Sequence, residues 1–458
     1  MLYDVIVIGG GPGGYAASIR ASQMGGNVAL IEAAQIGGTC VNRGCIPSKV
    51  WLYAADLLKK IKNANEFGIK ASVEALELET IVSRKTGVAN DIRMGMGGLL
   101  GNNGVEVITG RAVLTGSREI RVDNRTLEAK AIILATGSVL NIPTVPGIEE
   151  AALTTDQVFD MTEPPDSVLI WGSAGAIEVE MASLLNGFGC KVYLITESRR
   201  ILPMEDGDTS QRIAQALREQ GVEILPRYSL KGVKKSGEGY DCSLEGPEAK
   251  TLSVQRVLVS ARKPNTSRLG LEQAGVSIKD DSSIQINNKL ETTAKGIYAI
   301  GDATGGWMLS HAASSMAVVA AENAMGSTKT YPDQLIPRGI WTSPQVGSVG
   351  LSEESAEDQG IDVEVGDFPY SINGLAMARG EMAGAVKVVT DAKFGAILGV
   401  HIVGSNATEL VGEAVMAMQL EATVNELANS IRVHPTFSES LVDAARDARS
   451  WALYLPKR

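Results

Sequence analysis

Residues 4–32 read DVIVIGGGPGGYAASIRASQMGGNVALIE. Asp4–Ile8 has the apolar run of a buried strand, Gly9–Gly14 makes a turn, Tyr15–Met24 carries a helical pattern and Asn27–Glu32 returns as a second strand. The turn spells G-x-G-x-x-G on Gly9, Gly11 and Gly14, with the acid Glu32 at the end of the next strand. Glycines there permit a tight turn, backbone approach to a pyrophosphate and close helix packing, while the helix N-terminus supplies partial positive charge. Glu32 would accept from ribose hydroxyls. A Gly-rich turn without a ligand is the plainer alternative, but strand, helix and acid in register point to a dinucleotide-binding βαβ unit.

The rest of the chain sets the scale. At 458 residues it exceeds what one core supports, so about three domains are expected. Lys+Arg 42 against Asp+Glu 53 gives −11 with no basic block, which argues against a nucleic-acid surface. No uncharged apolar stretch could span a bilayer, and no basic leader with a cleavage site is visible, so a cytoplasmic protein without membrane contact is expected. There, ambient poise keeps thiols reduced, and a paired Cys motif reads as catalytic. Cys190 and Cys242 have no such setting and read as inert.

A second Gly cluster, LIWGSAGA at 169–176, follows a short apolar run and precedes a helical pattern, a weak duplication of the first unit. Between the two lie a helical run from about Ser48 to Asn65, strand-like pieces (VEVITGRAVL, AIILATG) and a hinge-like NIPTVPG at 141–147. The second unit closes near Pro264. GIYAIGDAT (296–304) then brings a strand to a Gly-Asp end, and a small-residue helix runs from about Ser310 to Met325. From about Ile336 two strands (AGAVKVVTD, AILGVHIVG) alternate with two helices as an α+β unit.

The segment GTCVNRGCIPSK (38–49) places Cys40 and Cys45 together between glycines. Two small buried hydrophobes is the ordinary reading of free cysteines. Five helical steps advance about 7.5 Å, more than a disulfide tolerates between Cα atoms, so the two can bond only across bent backbone. Such a bridge would be easily reduced, as a cycling catalyst requires.

GGTCVNRGCIPSK (37–49), the N-terminal turn, ATGS (135–138), IGDAT (300–304) and HPTFSE (434–439) resemble the pyridine nucleotide–disulphide oxidoreductases over nearly the whole chain and in the family's order. The resemblance implies that Gly9, Gly11, Gly14, Glu32, Thr136, Gly137 and Asp302 hold FAD, with Asp302 at the ribityl chain. It makes Cys40 the exchanging thiol and Cys45 the thiol against the isoalloxazine ring. Lys49 would sit near flavin N5, paired with Glu180. Electrons would pass from a dithiol through the bridge and FAD to NAD, held by the second unit with Gly175, Glu180 and Glu197. IPSK fits lipoamide-handling members rather than glutathione-reductase-like ones, and WALYLPKR lacks the C-terminal Cys pair of mercuric reductases. The implied substrate is a dihydrolipoyl group on a lipoyl-bearing carrier protein, or in a 2-oxo acid dehydrogenase or glycine-cleavage-type complex.

His434 and Glu439 have a local reading, a T-x-x-E capping box opening the helix SESLVDAARDA with His434 in the loop. The resemblance instead makes His434 the general base, oriented by a carboxylate, reaching the cysteines from the other subunit of a homodimer. Glu439 can serve both purposes. His311 and His401 read as packed residues.

The second unit departs from the family. Its motif positions fall on Ser173, Gly175 and Glu178, and Gly172 is out of register. Thr196 stands where NAD-type relatives carry Glu, so Glu197 would hold the ribose after a one-residue shift and would repel the 2′-phosphate of NADP. Ala261, Ala312 and Ala313 depart similarly on the nicotinamide side. The readings are a working NAD-dependent enzyme; a lipoamide-linked flavoprotein with weakened or altered nicotinamide use serving a specialised lipoyl carrier system, or a related disulphide reductase; and a non-catalytic FAD-bearing subunit. The fold class expected is α/β: two Rossmann-like domains, for FAD (1–146, returning at 266–337) and for NAD (147–265, inserted in the first), and a C-terminal α+β dimerisation domain (338–458).

Overall fold

The computed structural model describes residues 2–332 and 335–457; Met1 and Arg458, the outer limits expected of the first and last domains, lie outside them. The opening stretch folds as a strand, Leu2–Ile8, a helix, Pro12–Gln23, and a parallel strand, Val28–Glu32, with Val7 paired to Leu30. The helix begins at Pro12 rather than the expected Tyr15. Proline fits the first helical turn, where its missing N–H is no loss and its fixed φ is already helical. Gly9 has φ +105°, and a Cβ on Gly14 would lie 1.7 Å from the Gly9 carbonyl oxygen. The helix therefore packs on the turn at a distance only glycine allows.

The first sheet runs in the order Glu106–Thr109, Val28–Glu32, Leu2–Ile8, Arg125–Leu134, Glu119–Val122, Ala112–Leu114. Its seventh strand, Ile297–Ala299, arrives after the second unit and pairs in parallel with Ile132–Leu134. Strand alternation sends Val5 and Val7 to one core and Ile6 and Ile8 to the other, which explains an opening run apolar throughout. On the first of these faces the helix Pro12–Gln23 packs against Ser310–Ala324 through Ala17, Ala21, Ala317 and Ala320. The small residues of that later helix serve this close approach.

The second unit repeats the plan. Glu223–Pro226, Lys191–Thr196, Ser167–Trp171, Arg256–Val259 and Ala152–Thr154 form a parallel sheet. A meander of Ser229–Ser236, Gly239–Glu245 and Lys250–Val254 covers one face through Leu230, Tyr240 and Leu252. Where the chain enters and leaves, Ser138–Leu140 and Arg262–Pro264 pair antiparallel.

The C-terminal unit is an antiparallel sheet in the order Arg338–Ile340, Gln345–Gly350, Ile397–Gly404, Ala385–Asp391, Val363–Pro369. Two helices were expected beside its strands; the described residues hold five, Glu353–Asp358, Gly374–Arg379, Ala407–Gln419, Val424–Asn429 and Glu439–Ala448. Three have six residues, too short for a helical period to show, and are held by the side-chain caps Ser352, Asn373 and Thr423. The architecture is thus the expected α/β class, two Rossmann-like sheets with one inserted in the other, plus an α+β unit. Among the described residues no helix is long and apolar enough to cross a membrane.

Candidate active site

The two cysteines straddle a broken helix. Gly38–Arg43 is helical, Gly44 leaves the helix at φ −134° and ψ −107°, and Cys45–Lys62 begins anew. The expected start at Ser48 is thus corrected to Cys45. The break supplies the bend that the spacing argument required. Cys40 and Cys45 are hydrogen-bonded to each other as thiols, Cys40 half-buried and Cys45 exposed. That bond from Cys40 is the foremost reason the Cys45 thiol is lowered to about 6; Ser310, with Oγ 3.5 Å from Cys45 Sγ, and the Lys49 charge add to it against the desolvation of the sulfur by its neighbours and against Glu180. Cys40, donor to its neighbour and partly buried, is raised. Of the pair, Cys45 is therefore the more acidic thiol and Cys40 the less acidic. Cys190 and Cys242 are buried, and burial pushes both up to about 12, as inert thiols require.

Lys49, one turn along from Cys45, reaches Glu180 from the second unit, with Nζ 3.0 and 3.3 Å from the two carboxylate oxygens. Glu180 is buried and accepts the Trp341 backbone N–H at 3.0 Å, while the Trp341 ring lies 3.9 Å from Lys49 Nζ. The lysine is thus caught between a carboxylate and an aromatic face. Neither Ser310 nor Trp341 was legible beforehand: each comes from a distant part of the chain, and no local pattern marks it.

The first turn is fit for a dinucleotide pyrophosphate. Gly11 caps the helix with no side-chain hydrogen bond, which leaves first-turn N–H groups available. Glu32 sits beside it, Oε2 accepting from Gly10 N–H at 2.6 Å and Oε1 from Ala34 N–H at 2.8 Å. Asp302 Oδ2 accepts from Ser138 Oγ at 2.6 Å, and Arg262, unnoticed in the sequence, donates to Ser138 Oγ at 2.8 Å and to Thr39 Oγ1 at 3.3 Å. Thr136 Oγ1 donates to Asn265 O at 2.8 Å, and Gly137, at φ +70°, turns the chain between them. Asp302, Ser138, Arg262 and Thr39 form one hydrogen-bonded line from the Gly301–Thr304 turn, across the strands Ser138–Leu140 and Arg262–Pro264, to the short helix that carries Cys40.

In the second unit Gly175 caps the helix Ala176–Gly187 without a side-chain bond. Trp171 pairs with Ile195 as Val7 pairs with Leu30, so Glu197, not Thr196, stands in the register of Glu32. The expected one-residue shift is unnecessary. Glu178 is buried at 5 % exposure, its carboxylate accepting from Ser260 Oγ at 2.5 Å.

Residues 3–317 match the pyridine nucleotide-disulphide oxidoreductase family, and residues 336–445 match its dimerisation domain. The chain belongs to this family. Among similar oxidoreductases, the dihydrolipoyl dehydrogenase of Thermus scotoductus is 39 % identical over 461 residues, covering 100 % of this chain and 99 % of that one. The dihydrolipoyl dehydrogenase of Zymomonas mobilis is 36 % identical, with 99 % of each chain covered. Of solved oxidoreductase structures, LpdA from Mycobacterium tuberculosis is 28 % identical with a TM-score of 0.88, covering 96 % of this chain and 99 % of that one. The family uses FAD and NAD(H).

Among the described residues His434 makes its hydrogen bond to Glu439 and none to either cysteine. It is exposed, and its Nδ1 is 2.9 Å from Glu439 Oε1. Glu439 Oε2 accepts the Thr436 N–H at 2.7 Å, so one carboxylate holds both the His434 ring and the loop backbone. Only half a capping box forms: Thr436 Oγ1 donates to Val433 O, and the helix has no side-chain cap hydrogen bond at its N-terminus. A carboxylate facing Nδ1 makes that nitrogen the donor and leaves Nε2 free to accept. His401 is buried with Nε2 2.9 Å from Leu351 O, and burial lowers it; His311 is exposed, held to Pro337 O at 2.7 Å.

Proposed function

We propose that the chain oxidises protein-bound dihydrolipoamide through a Cys40–Cys45 disulphide and FAD, with NAD⁺ as final acceptor, in the manner of a dihydrolipoyl dehydrogenase. The observation that carries this is the thiol pair across Gly44, with Cys45 the more acidic of the two, in a chain similar end to end to enzymes of that name. Gly9, Gly11, Gly14, Glu32, Thr136, Gly137 and Asp302 would hold FAD, which when bound accepts an electron pair from thiols and passes it to a nicotinamide.

The two sulfurs divide the work by acidity. In thiol–disulphide exchange the better leaving group is the sulfur of lower pKa. Attack by a substrate thiolate therefore falls on Cys40 and releases Cys45 as thiolate. The second substrate thiolate then attacks the substrate sulfur of the mixed disulphide, closing the lipoyl ring and releasing Cys40. Two protons leave the substrate; His434 Nε2, with Glu439 fixing the ring, accepts one at the attacking sulfur. This base would come from the partner in a homodimer with a composite site, a reading supported by the matched dimerisation domain and by a His434 that is exposed and bonded to Glu439 alone among the described residues. Lys49, steadied by Glu180 and Trp341, keeps a positive charge beside Cys45. Gly175 and Glu197 would receive NAD.

Domain limits at 146, 265 and 337 suit the antiparallel crossing of Ser138–Leu140 with Arg262–Pro264 and the return of Ile297–Ala299. The physiological reductant is a dihydrolipoyl arm on a carrier protein or within a 2-oxo acid dehydrogenase or glycine-cleavage-type complex. A cytoplasmic setting suits Cys190 and Cys242, which are buried and form no disulphide. Steady-state formation of NADH from dihydrolipoamide tests the whole sequence. Anaerobic flavin reduction by dihydrolipoamide without NAD⁺ tests the thiol half alone, and its absence would sink the proposal.

A further inference from the structure

The second turn contains a charge where the first has none. Gly11 and Gly175 cap equivalent helices, and the third residue onward is Gly14 in one and Glu178 in the other. The Glu178 side chain folds back into its own turn. A Cβ on Gly172 would meet Oε1 at 2.5 Å, and a Cβ on Gly175 would lie 3.4 Å from Oε2. The carboxylate is thus bracketed by the glycines of the strand-to-helix turn. It is held there by Ser260, the residue after the strand Arg256–Val259, with a bond of 2.5 Å. That partner is a neutral hydroxyl, so the bond fixes the charge in place without cancelling it.

We propose that Glu178, positioned by Ser260, determines the affinity of the second unit for pyrophosphate-bearing dinucleotides, by holding a negative charge against the place the pyrophosphate would take. This rests on reading that unit as the NAD site. Two like charges about 5 Å apart at an effective dielectric near 20 weaken binding roughly a hundredfold. The penalty falls on the pyrophosphate and not on the adenosine or nicotinamide ends, so NAD⁺ would bind weakly and leave quickly while the flavin and thiol machinery is untouched.

The test is calorimetric titration of NAD⁺ and ADP-ribose into the oxidised, FAD-loaded protein and into Glu178→Gln, which keeps the shape and the bond to Ser260 but not the charge. Both ligands should bind Glu178→Gln roughly a hundredfold tighter, with adenosine unchanged and FAD content equal to wild type. Glu178→Gly should show the same direction. Equal or weaker binding by Glu178→Gln would overturn the proposal, as would an equal gain for adenosine. So would failure of wild type and both variants to bind ADP-ribose at millimolar concentration. Thiol-driven flavin reduction, measured separately, says whether the proposed function stands in each case.

Discussion

The two βαβ units are built on one frame and finished differently. Val7 lies between Leu30 and Ile133, and Trp171 between Ile195 and Val259, so the central strands carry the same register. Both helices run for twelve residues from a glycine cap. In the first unit Gly9 and Gly14 meet backbone to backbone, and any side chain at Gly14 would enter the Gly9 carbonyl. In the second, Ser173 and Glu178 take those positions, Ala174 turns the chain at φ +49°, and the gap is filled by a carboxylate bound to Ser260. A common fold therefore does not impose a common phosphate site. Close packing excludes a side chain at Gly9 and Gly14 of the first turn, while the second has a hydrogen bond between side chains in place of that contact.

The largest effect that could break this comparison is on the first turn. Gly14→Ala places a methyl group inside the Gly9 carbonyl, so the purified variant should contain little or no FAD, read as the flavin-to-protein absorbance ratio. Full flavin content would mean that the first turn is no tighter than the second. Next in size is His434→Gln, expected to slow dihydrolipoamide-driven flavin reduction by about 10²–10⁴-fold with FAD retained. Because this half-reaction uses no part of the second turn, a wild-type rate would return His434 to a loop role.

The thiolate gives a finer test of the same separation. Cys45 is lowered to about 6, so its thiolate, and the long-wavelength absorption it gives beside oxidised flavin, should persist above pH 6 and fade as pH drops through that value. Cys40→Ala removes the chief stabilising hydrogen bond. That variant should show the band without reductant, with a midpoint above pH 6; an unchanged midpoint would refute the assigned cause. Smallest is Ser310→Ala. A hydrogen bond as long as 3.5 Å to sulfur contributes little, so the midpoint should rise by less than about one unit.

Much of this was readable in one dimension. The first turn, the cysteine pair with its bend, and the linkage of His434 to Glu439 each lie within a few residues, where spacing along the chain limits distance in space. The strand period and the glycine cap made both units legible, and even the intrusion of Glu178 showed as a broken motif. The errors were local too: Pro12 and Cys45 start their helices earlier than expected because a proline and a glycine break that read as turn residues prove to be helix entries.

What the sequence by itself determined is the chemistry on offer: two dinucleotide-type turns, one intact and one altered, a redox pair of thiols, and a histidine with its carboxylate. Only the tertiary structure decided how those groups are tuned. Ser310 reaches Cys45 from chain that follows the second unit, Trp341 and Glu180 close on Lys49, Arg262 ties Ser138 to Thr39, and Ser260 holds the Glu178 carboxylate in its own turn. These partners lie tens to hundreds of residues apart and carry no shared local pattern, because a hydrogen bond or a desolvated charge depends on proximity in space, which folding creates between segments that the chain order keeps separate.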